Sequence, residues 1–594
     1  MTKMKGTLGQ VLINAALPEQ YRMTGPVTKK TLAGNMLEYV RDDPEGYART
    51  IPEVKQLGDE FATFEGISVG LDDIAPEYKK RDAIFKKVRT KFWNTAHGSD
   101  AAVKILRDTQ DKIQSLTAGH PGDMGLMARS GGRGNMNQLM KAVGSPVIVG
   151  NFDGTPNPFM IERGYSEGLS PAEAWIAGDE SRGQIIKGQL GTADPGDLGK
   201  IMASMMSAQV VAGEDCGTTN GIMMDADDVH ILGRYLAGPN TLVTSRERQR
   251  IMRAGSRVKV RSPMTCELPR GVCRFCRGTE PDGKLPDIGT NVGIRSAQAL
   301  SEPLVQMQLS SKHGVSLVAG ETEGPTGLTA VRQFLEVPSS FFSKATLADH
   351  DGKVDRVDVA PQGGFNVYVG ASEHYVPPGR SIKVSKGQKV EAGDILSSGV
   401  PAPNEVVRHK GLGAGRRYLA DAFHGVYADA GIGMDKRHLE TLVKSQLNSV
   451  RVVDKIPGFL PGDVVPYQDV VSSLRGAVVS TPIAKAKGLY LGQAALHHVP
   501  GTPINGGMVK DFKEAGLASV GTLESMPKVE AVMLSASRTP LLNPNWMQRL
   551  GHRYQKATLL QAAQQGELAD LHSHDPTPGL VVGREYRRGP GGTY

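Results

Sequence analysis

The chain is poor in cysteine and in aromatic residues, and it has no long apolar run. Four cysteines in 594 residues are too few for a disulfide scaffold, so we expect a reducing compartment. No run of about 18 apolar residues occurs, and no membrane-spanning helix is predicted. The N-terminal segment "MTKMKGTLGQVLINAALPEQ" lacks the apolar core and cleavage site of a secretory signal. By contrast, 72 glycines and 36 prolines predict many turns and long irregular connections.

The length of the chain indicates how many domains to expect, and its charge indicates which kind of partner it suits. A chain of 594 residues is too long for one core, so several domains are expected. The net charge of +7 and the pI of about 9.0 suit a protein that contacts a polyanion over part of its surface. This excess is mild and does not identify a partner by itself.

The four cysteines form the clearest pattern in the chain. Three of them lie in "CELPRGVCRFC", and the fourth lies in "AGEDCGTTNG", with 49 residues between it and the first of the three. A tetrahedral Zn²⁺ takes four thiolates, and a C-x2-C hook supplies two of them from one turn. Four unrelated thiols, with a C-x2-C hook by chance, are the alternative interpretation. Because the pattern uses every cysteine, we predict a structural zinc site formed by Cys216, Cys266, Cys273 and Cys276.

The segment from Ser170 to Gln209 combines helix formers with helix breakers. Its opening "SPAE" places a proline at the first helical position, which predicts a helix that begins at Pro171. Six glycines and Pro195 then disturb the pattern. The stretch "TADPGD" therefore predicts two helices that meet, with Asp194 capping the second. An ordinary pair of core helices and one long bendable helix both fit this pattern.

A second helical region flanks a glycine-rich stretch. The residues Ala297–Leu309 have a helical pattern that we expect to be interrupted at Pro303. Glycines recur between positions 314 and 327, and the amphipathic run "LTAVRQFLEV" follows. A helix, a glycine-rich loop and a helix are typical of a lid. His313 stands where the loop begins, although a lone histidine is more often a surface residue than a catalyst.

Further stretches complete an ordered set of motifs. In chain order they are "GTLGQVLINAALPEQYRMTGPVTKKTL", "FATFEGISVGLDDI", "SGGRGNMNQL", "YSEGLSPAEAW", "EDCGT", "CELPRGVCRFCRG", "VGIRSAQALSEPLVQMQLSSKHG", "VPPGRSIKVSKGQKVEAGDILSSG", "MDKRHLETLVKSQL", "GDVVPYQDV" and "PTPGLVVGREYRRG". As a set, over nearly the whole length, they resemble the C-terminal portion of the β′ subunit of multisubunit, bacterial-type DNA-directed RNA polymerase. In that family four cysteines at the matching positions form the second zinc site of β′.

One hallmark of the family is missing. The chain has no Asn-Ala-Asp-Phe-Asp-Gly-Asp motif, the loop whose three aspartates hold the catalytic Mg²⁺. "GNFDGTPN" is a faint look-alike that we interpret as a turn built on Asp153. The resemblance therefore implies a chain that starts after the catalytic loop, as split β″-type subunits do. We expect it to be inactive alone, with Mg²⁺ held by a companion chain.

The resemblance also implies roles for residues near the predicted lid, which matches the trigger loop. In this family an RNA 3′-hydroxyl attacks the α-phosphate of an incoming nucleotide and pyrophosphate leaves. His313 falls on a histidine that faces the β-phosphate and could donate a proton or a charged hydrogen bond. Leu309 matches a methionine that packs on the base, and Gln306 matches a glutamine that reaches the sugar. Ser310 replaces an arginine that contacts phosphate.

The segment that begins at Pro171 matches the bridge helix. There Thr192 and Ala193 align with the pair beneath the template base, and Arg182 aligns with a basic residue near the active centre. In the family this segment is one bent helix, whereas the local sequence favours a break at Asp194. We therefore expect the chain to follow the path of the family's helix, with a pronounced kink. Elsewhere, basic residues such as Arg416, Arg417, Arg587 and Arg588 could face nucleic acid or serve structure equally well.

The fold class implied is an α+β multidomain chain with a long bridge helix, a trigger-loop helical hairpin, a zinc-stapled module, a small β-barrel or barrel-sandwich and helical clamp-base elements. The predicted domains are the pore domain (1–58), secondary-channel rim helices (59–128), F-loop region (129–168), bridge helix (169–210), zinc-binding module (211–287), trigger loop (288–340), β-barrel with a reduced jaw region (341–402), and clamp base with the C-terminal segment (403–594). Within the rim helices, apolar residues of "RDAIFKKVRTKFW" should share one helical face.

The implied partners are an N-terminal β′-like chain carrying the aspartate triad, β-like subunits, template DNA, the RNA product and nucleoside triphosphates, with a specificity factor as an option and no membrane. Patchy identity and Ser310 suggest a large bacteriophage, hence the cytoplasm of an infected bacterium, with packaging in the virion as a further option. A plastid or cyanobacterial β″ is the alternative origin. The alternative function is a zinc-stapled nucleic-acid-binding scaffold without a role in catalysis.

Overall fold

The structure is a computed structural model, and it describes residues 6–75, 78–151, 155–255, 257–310, 327–471, 473–474, 478–543, 545–571 and 576–583. These residues form two compact units. Among them, the first unit consists of residues 6–192, 281–283 and 308–310, and the second unit consists of the others. Each unit is described by itself below.

Helices supply most of the regular structure. In chain order they are α1 (Leu8–Ala16), α2 (Lys29–Asp42), α3 (Pro44–Glu65), α4 (Tyr78–Trp93), α5 (Asp100–Thr117), α6 (Gly122–Ser130), α7 (Met136–Leu139), α8 (Pro171–Leu190), α9 (Ala193–Met206), α10 (Ser245–Ala254), α11 (Arg274–Arg277), α12 (Val292–Ser310), α13 (Gly327–Glu336), α14 (Pro403–Asp429), α15 (Lys436–Gln446), α16 (Tyr467–Val470), α17 (Gly506–Glu514), α18 (Trp546–Leu550), α19 (Gln555–Gln565) and α20 (Pro576–Val581).

The strands are short and form small sheets. They are β1 (Val211–Gly213), β2 (Ile222–Met224), β3 (Val258–Val260), β4 (Val272–Cys273), β5 (Gly352–Val359), β6 (Phe365–Val369), β7 (Ser372–Val376), β8 (Lys389–Val390), β9 (Ser449–Val452), β10 (Val464–Pro466), β11 (Val479–Pro482), β12 (Tyr490–Leu491), β13 (Ser519–Leu523) and β14 (Val529–Val532). The sheets have the strand orders β1-β4, β2-β3, β7-β6-β5-β8, β10-β9-β14 and β11-β13-β12. Helices with small sheets confirm the α+β class.

In the first unit, α4 and α5 form a helical hairpin. Phe85 and Phe92 of α4 are buried against Leu106 and Ile113 of α5. The side chain of Ser99 accepts from the backbone N–H of Ala102 and so caps α5. The shared apolar face predicted for "RDAIFKKVRTKFW" is confirmed, because Ile84 and Val88 also pack in this cluster.

The long helix α3 begins with a strong start signal. Asp43 caps its N-terminus by accepting from the N–H of Gly46, and Pro44 occupies the first helical position. The helix continues to Glu65 and therefore crosses position 58, where a domain boundary was expected. By contrast, α14 begins at Pro403, where the clamp-base segment was expected to begin. The domain assignments stay predictions.

The second unit is built around one large apolar core. The helices α9, α12, α13, α14 and α15 contribute to it, together with the sheet β10-β9-β14. Within this core, Phe334 of α13 packs edge-on against Phe423 of α14, with ring centroids 5.6 Å apart. The hydroxyl of Tyr427 on α14 donates to the carbonyl of Leu300 on α12 at 2.8 Å. Packing between helices therefore holds this unit together.

The sheet β7-β6-β5-β8 has a separate core of its own. Its buried face is a row of valines and other small aliphatic residues, including Val354, Val367 and Val376. The strands β5 and β6 pair antiparallel and are joined by a turn through Gly363 and Gly364, both at positive φ. Among the described residues no helix combines the length and the apolarity that are needed to cross a bilayer.

Candidate functional site

The four cysteines of the second unit come together. Strands β1 and β4 pair in parallel, which brings the segment before Cys216 beside Cys273. Cys276 follows on the short helix α11, and Cys266 precedes β4. Their sulphur atoms all lie within 4.8 Å of one another, with 3.6 Å between those of Cys216 and Cys276. The predicted set is therefore assembled at one place.

Two glycines allow the backbone to fold this tightly. Gly271 has φ of 68°, and a Cβ there would lie 2.2 Å from the carbonyl oxygen of Val210. Gly278 has φ of 77°, and a Cβ there would lie 2.4 Å from the carbonyl oxygen of Gly233. Larger residues would clash at both positions and would also be strained by the positive φ.

Backbone N–H groups point at the sulphur atoms. The N–H of Cys273 donates to Sγ of Cys266, and the N–H of Cys276 donates to Sγ of Cys273, both at 3.3 Å. Hydrogen bonds from the neighbouring thiols, that of Cys216 first, hold the pKa of Cys266 well below its usual range. The same thiols raise the pKa of Cys276 well above its usual range, again with Cys216 as the largest contribution. Ionisation of all four thiols at this spacing would require a cation between them.

A buried guanidinium adds positive charge beside the cluster. Arg261 is 2% exposed, and its Nη2 lies 3.3 Å from Sγ of Cys216 and 3.5 Å from Sγ of both Cys273 and Cys276. It also pairs with Asp215. Although burial alone lowers the pKa of Arg261, the hydrogen bond to Asp215 and the cysteine charges outweigh it and raise that pKa. The residue is therefore a permanent cation next to the sulphur atoms.

The cluster fits a structural zinc ion. A tetrahedral site with Zn–S bonds of about 2.3 Å places its sulphur atoms about 3.8 Å apart. The observed separation of 3.6 Å between Cys216 and Cys276 is close to this value. Four thiolates leave no open coordination position, so such an ion would brace the fold rather than activate a substrate.

The segment that resembles the bridge helix consists of two helices. In α8, Ser170 and Glu173 form the expected start signal, with the N–H of Ser170 donating to Glu173 Oε2 at 2.9 Å. The helix ends at Leu190, and α9 begins at Ala193. The two predicted helices are thus confirmed, with the break two residues before Asp194.

The predicted cap at Asp194 is wrong. Asp194 lies inside the first turn of α9, where its carboxylate pairs with Arg332 of α13 at 3.0 Å. Acidic residues are favourable there because of the helix dipole. Pro195 also falls in this first turn, where its missing N–H costs little. These local preferences place the first helical residue at Ala193, two residues earlier than a cap at Asp194 would.

The expected interruption at Pro303 is also wrong, because α12 runs without a break from Val292 to Ser310. Pro303 has no N–H for the carbonyl of Ala299, so the helix loses one hydrogen bond there. Packing outweighs that loss, since Leu300 and Leu304 on either side of it are fully buried in the core. Tyr427 gives the carbonyl of Leu300 a second donor at the same turn.

The site residues predicted on α8 and at the start of α9 differ in their contacts. Arg182 lies on α8 with its guanidinium 5.7 Å from the ring of Trp175, a side chain that is 74% exposed. The hydroxyl of Thr192 donates to the carbonyl of Gln189 at 3.5 Å, and Ala193 is the first residue of α9.

On α12, the amide of Gln306 donates to Glu302 at 3.4 Å. Leu309 and Ser310 lie in the last turn of this helix. His313 and the glycine-rich stretch up to position 326 lie outside the described residues.

The structure brings α9, α12 and α13 into one core. A Cβ on Gly199 of α9 would lie 3.1 Å from Cβ of Ser301 on α12. The following residues of the three helices share the core: Leu198, Met202, Leu300, Leu304, Val331 and Phe334. Ala193 and Gln306 therefore lie on helices of one packed unit, whereas Arg182 and Thr192 belong to the first unit.

Some residues have roles that the sequence did not indicate. Arg416 is 4% exposed and donates to the carbonyl of Leu447 at 2.9 Å, so of its two suggested roles the structural one holds. Arg587 and Arg588 lie outside the described residues. Arg261 was missed, although it stands only five positions before Cys266 in "RSPMTC". The adjacent histidines of "ALHHVPG" were also available as a signal for a second cluster.

No protein-family model matches the chain. The chain is 26% identical over 541 residues to the DNA-directed RNA polymerase subunit β′ of Caldanaerobacter subterraneus subsp. tengcongensis, which covers 77% of this chain and 43% of that subunit. It is 27% identical over 535 residues to the subunit β′ of Desulforamulus reducens, which covers 80% of this chain and 44% of that subunit.

A third relative, the subunit β′ of Heliobacterium modesticaldum, is 28% identical over 555 residues, which covers 82% of this chain and 46% of that subunit. The chain thus spans less than half of the length of these relatives. The similarity extends over most of this chain, and all three relatives have the same name.

Proposed function

We propose that this chain is a subunit of a split, multisubunit DNA-directed RNA polymerase. It supplies a bridge helix and a trigger loop for template-directed addition of nucleotides to RNA. The catalytic aspartates come from an N-terminal β′-like chain, and β-like subunits complete the enzyme. The enzyme acts in a bacterium infected by a large bacteriophage that encodes the chain.

The observation that carries this proposal is the similarity to β′ subunits over 77–82% of the chain. Two structural features are in keeping with it. The four cysteines, which resemble the second zinc site of β′, lie within 4.8 Å of one another. The helices α9, α12 and α13, which belong to the segments that resemble the bridge helix and trigger loop, pack in one core.

In the proposed mechanism this chain positions the nucleotide and closes over it. Gln306 binds the sugar, Leu309 packs on the base, and Thr192 and Ala193 support the template base. Arg182 contributes a positive charge near the active centre, and Ser310 occupies the place of a phosphate-binding arginine. His313 donates a proton or a charged hydrogen bond to the pyrophosphate as it leaves. Magnesium ions held by the partner's carboxylates would stabilise the attacking and leaving oxygens.

The test is single-nucleotide addition by the reconstituted complex on a primed template. Replacement of His313 by alanine should slow addition by about tenfold or more, since general acid catalysis contributes at least this much. His350, which is 40% exposed beside Asp349, is changed to alanine as the matched control and should leave the rate unchanged. Equal rates for the wild type and His313→Ala would remove His313 from the mechanism.

The same assay separates the proposal from a scaffold role. A zinc-stapled scaffold would be needed for assembly, but Gln306→Ala and His313→Ala complexes would add nucleotides at the wild-type rate. The proposal also requires that the purified chain alone makes no RNA with template, nucleotides and Mg²⁺. RNA synthesis by the chain alone would contradict the split active centre.

A further inference from the structure

Two adjacent histidines and an aspartate converge on the wall of a cavity in the second unit. Ligand atoms of His497, His498 and Asp511 all lie within 4.8 Å of one another. They line a cavity of about 440 Å³. His498 is 3% exposed, and its Nε2 faces the carboxylate of Asp511.

The local fold forces the two imidazoles together. Leu496 adopts φ of 54°, and the turn closes with mutual backbone hydrogen bonds between Ala495 and His498. As a result the rings of His497 and His498 lie with centroids 4.0 Å apart, although they are neighbours in the chain. The turn packs tightly on α14, where a Cβ on Gly413 would lie 2.3 Å from the carbonyl oxygen of His497.

Asp511, which lies on α17, differs from the other carboxylates of the cavity wall in its partners. The three other carboxylates of the cavity wall each have a cationic partner. The pairs are Glu391 with Lys487 at 2.7 Å, Asp394 with Lys410 at 2.9 Å, and Glu514 with Arg257 at 3.7 Å. In the described part of the chain, Asp511 has no lysine or arginine partner and faces His498 instead.

The distance between His498 and Asp511 fits two ligands of one tetrahedral ion. His498 Nε2 and Asp511 Oδ2 are 3.4 Å apart, which is long for a charge-assisted hydrogen bond. Two ligands of one tetrahedral ion with bonds of about 2.0–2.1 Å lie about 3.3 Å apart. The cysteine cluster likewise has a ligand separation that fits an ion, since the sulphur atoms of Cys216 and Cys276 are 3.6 Å apart, close to the separation in a zinc-thiolate site.

A second cluster of similar composition fails this comparison. Asp349 lies beside His350 and His374, and its Oδ1 is 2.8 Å from Nε2 of His374. That separation is a hydrogen-bond length and is too short for two ligands of one tetrahedral ion. This cluster is therefore a hydrogen-bonded network, and it provides a matched control.

We propose that His497, His498 and Asp511 bind a divalent cation of the zinc class, at a site separate from the four cysteines. Two imidazole nitrogens and one carboxylate oxygen form a donor set that such ions prefer. Three protein ligands leave a coordination position open toward the cavity, where water or a small exogenous ligand completes the shell.

The test measures zinc bound by the full-length chain after removal of metal, dialysis against Zn²⁺ under reducing conditions, and elemental analysis. We expect about two zinc ions per wild-type chain. Asp511→Asn and His498→Ala should each bind about one, and so should the double variant Cys273→Ser/Cys276→Ser. Co²⁺ substitution identifies which site is lost, because only the cysteine site gives thiolate charge-transfer absorption.

Asp349→Asn is the control and should keep both ions. Asp511 is 45% exposed in its side chain, and asparagine has nearly its shape, so this variant should fold even if His498→Ala does not. One zinc per wild-type chain, lost in the cysteine variant, would overturn the proposal. Retention of the second ion by Asp511→Asn would overturn it equally. Neither result depends on RNA synthesis, so the outcome is independent of the proposed polymerase function.

Discussion

Arg261 is a residue outside the predicted ligand set that could act on a zinc ion held by the four cysteines. A zinc ion with four thiolates carries two net negative charges, and their burial is costly without a nearby cation. Arg261 lies within 3.5 Å of three of the sulphur atoms and is buried. From this position it would stabilise the charged, zinc-loaded form of the predicted site.

Replacement of Arg261 by methionine should therefore weaken zinc binding. We expect zinc loss to a chelator to be about tenfold faster, which is the usual effect of losing a group that supports metal ligands. The measurement is the absorbance of a zinc indicator after chelator is added to the loaded chain. Arg274→Met is the control, because Arg274 lies on α11 but pairs with Glu214 at 2.9 Å. Similar rates for both variants would refute a specific role for Arg261.

Two buried histidines predict a loss of stability in mild acid. Burial lowers the pKa of His230 to about 4. Burial, followed by the charge of Arg277, lowers the pKa of His438 to about 4. In the unfolded chain both pKa values return to about 6.5. Below pH 6.5 the unfolded chain therefore binds more protons than the folded chain, and stability falls as the pH approaches 4.

The expected slope is up to about 1.4 kcal/mol per pH unit for each histidine between pH 6.5 and 4. Replacement of His438 by glutamine should remove one of the two contributions. Glutamine can keep the hydrogen bond that His438 makes with Ser296 at 2.9 Å. Thermal unfolding midpoints measured across this pH range give the comparison. An equal loss of stability in the wild type and the variant would contradict the assignment.

At the scale of elements, the contact between α9 and α12 depends on a glycine. An added Cβ on Gly199 would meet Ser301 at 3.1 Å, whereas one on Gly196 would meet no atom within 4 Å. Gly199→Leu should thus push the helices apart and lower stability by about 1–3 kcal/mol. Gly196→Leu should raise helix stability by up to about 1 kcal/mol. Thermal unfolding of both variants tests this, and a stabilised Gly199→Leu chain would show that the helices can separate freely.

The elements that the sequence predicted well are those controlled by local signals. The start of α8 at Pro171 follows from the proline and from Glu173, and the apolar face of α4 follows from its spacing. Pro303 was misleading, because a helix with buried leucines on both sides of a proline can tolerate the lost hydrogen bond. A local sequence pattern carries no information on the packing of α14 against α12. That packing is what keeps α12 helical through Pro303.

At the scale of the whole molecule, the sequence predicted the cysteine cluster but not its surroundings. The chain has only four cysteines, so the sequence alone suggested that all four form one site. The approach of Arg261 to the sulphur atoms, and of His498 to Asp511, depends on how distant segments pack. Neither contact leaves a periodic signal, so both required the three-dimensional structure.

The cysteine cluster is also connected to the core of the second unit through α15. Lys444 of α15 is buried and donates to the carbonyl of Gly271 at 2.8 Å. Arg437 of the same helix donates to the carbonyl of Thr279 at 2.6 Å. At its other end, Gln446 donates to the carbonyl of Leu335 on α13 at 2.8 Å. The loop that carries the cysteines and the helix α13 are thus held by one helix.

Removal of the metal should therefore disturb more than the cysteine loop. Without zinc the thiols lose the cation that holds them together, and the carbonyls that Lys444 and Arg437 bind should move. We expect hydrogen exchange of the backbone amides in α15 to become about tenfold faster or more in Cys273→Ser/Cys276→Ser. The sheet β7-β6-β5-β8 has its own core and should keep its protection, which makes it the internal control. Unchanged exchange in α15, with zinc absent, would mean that the cluster stabilises only its own loop.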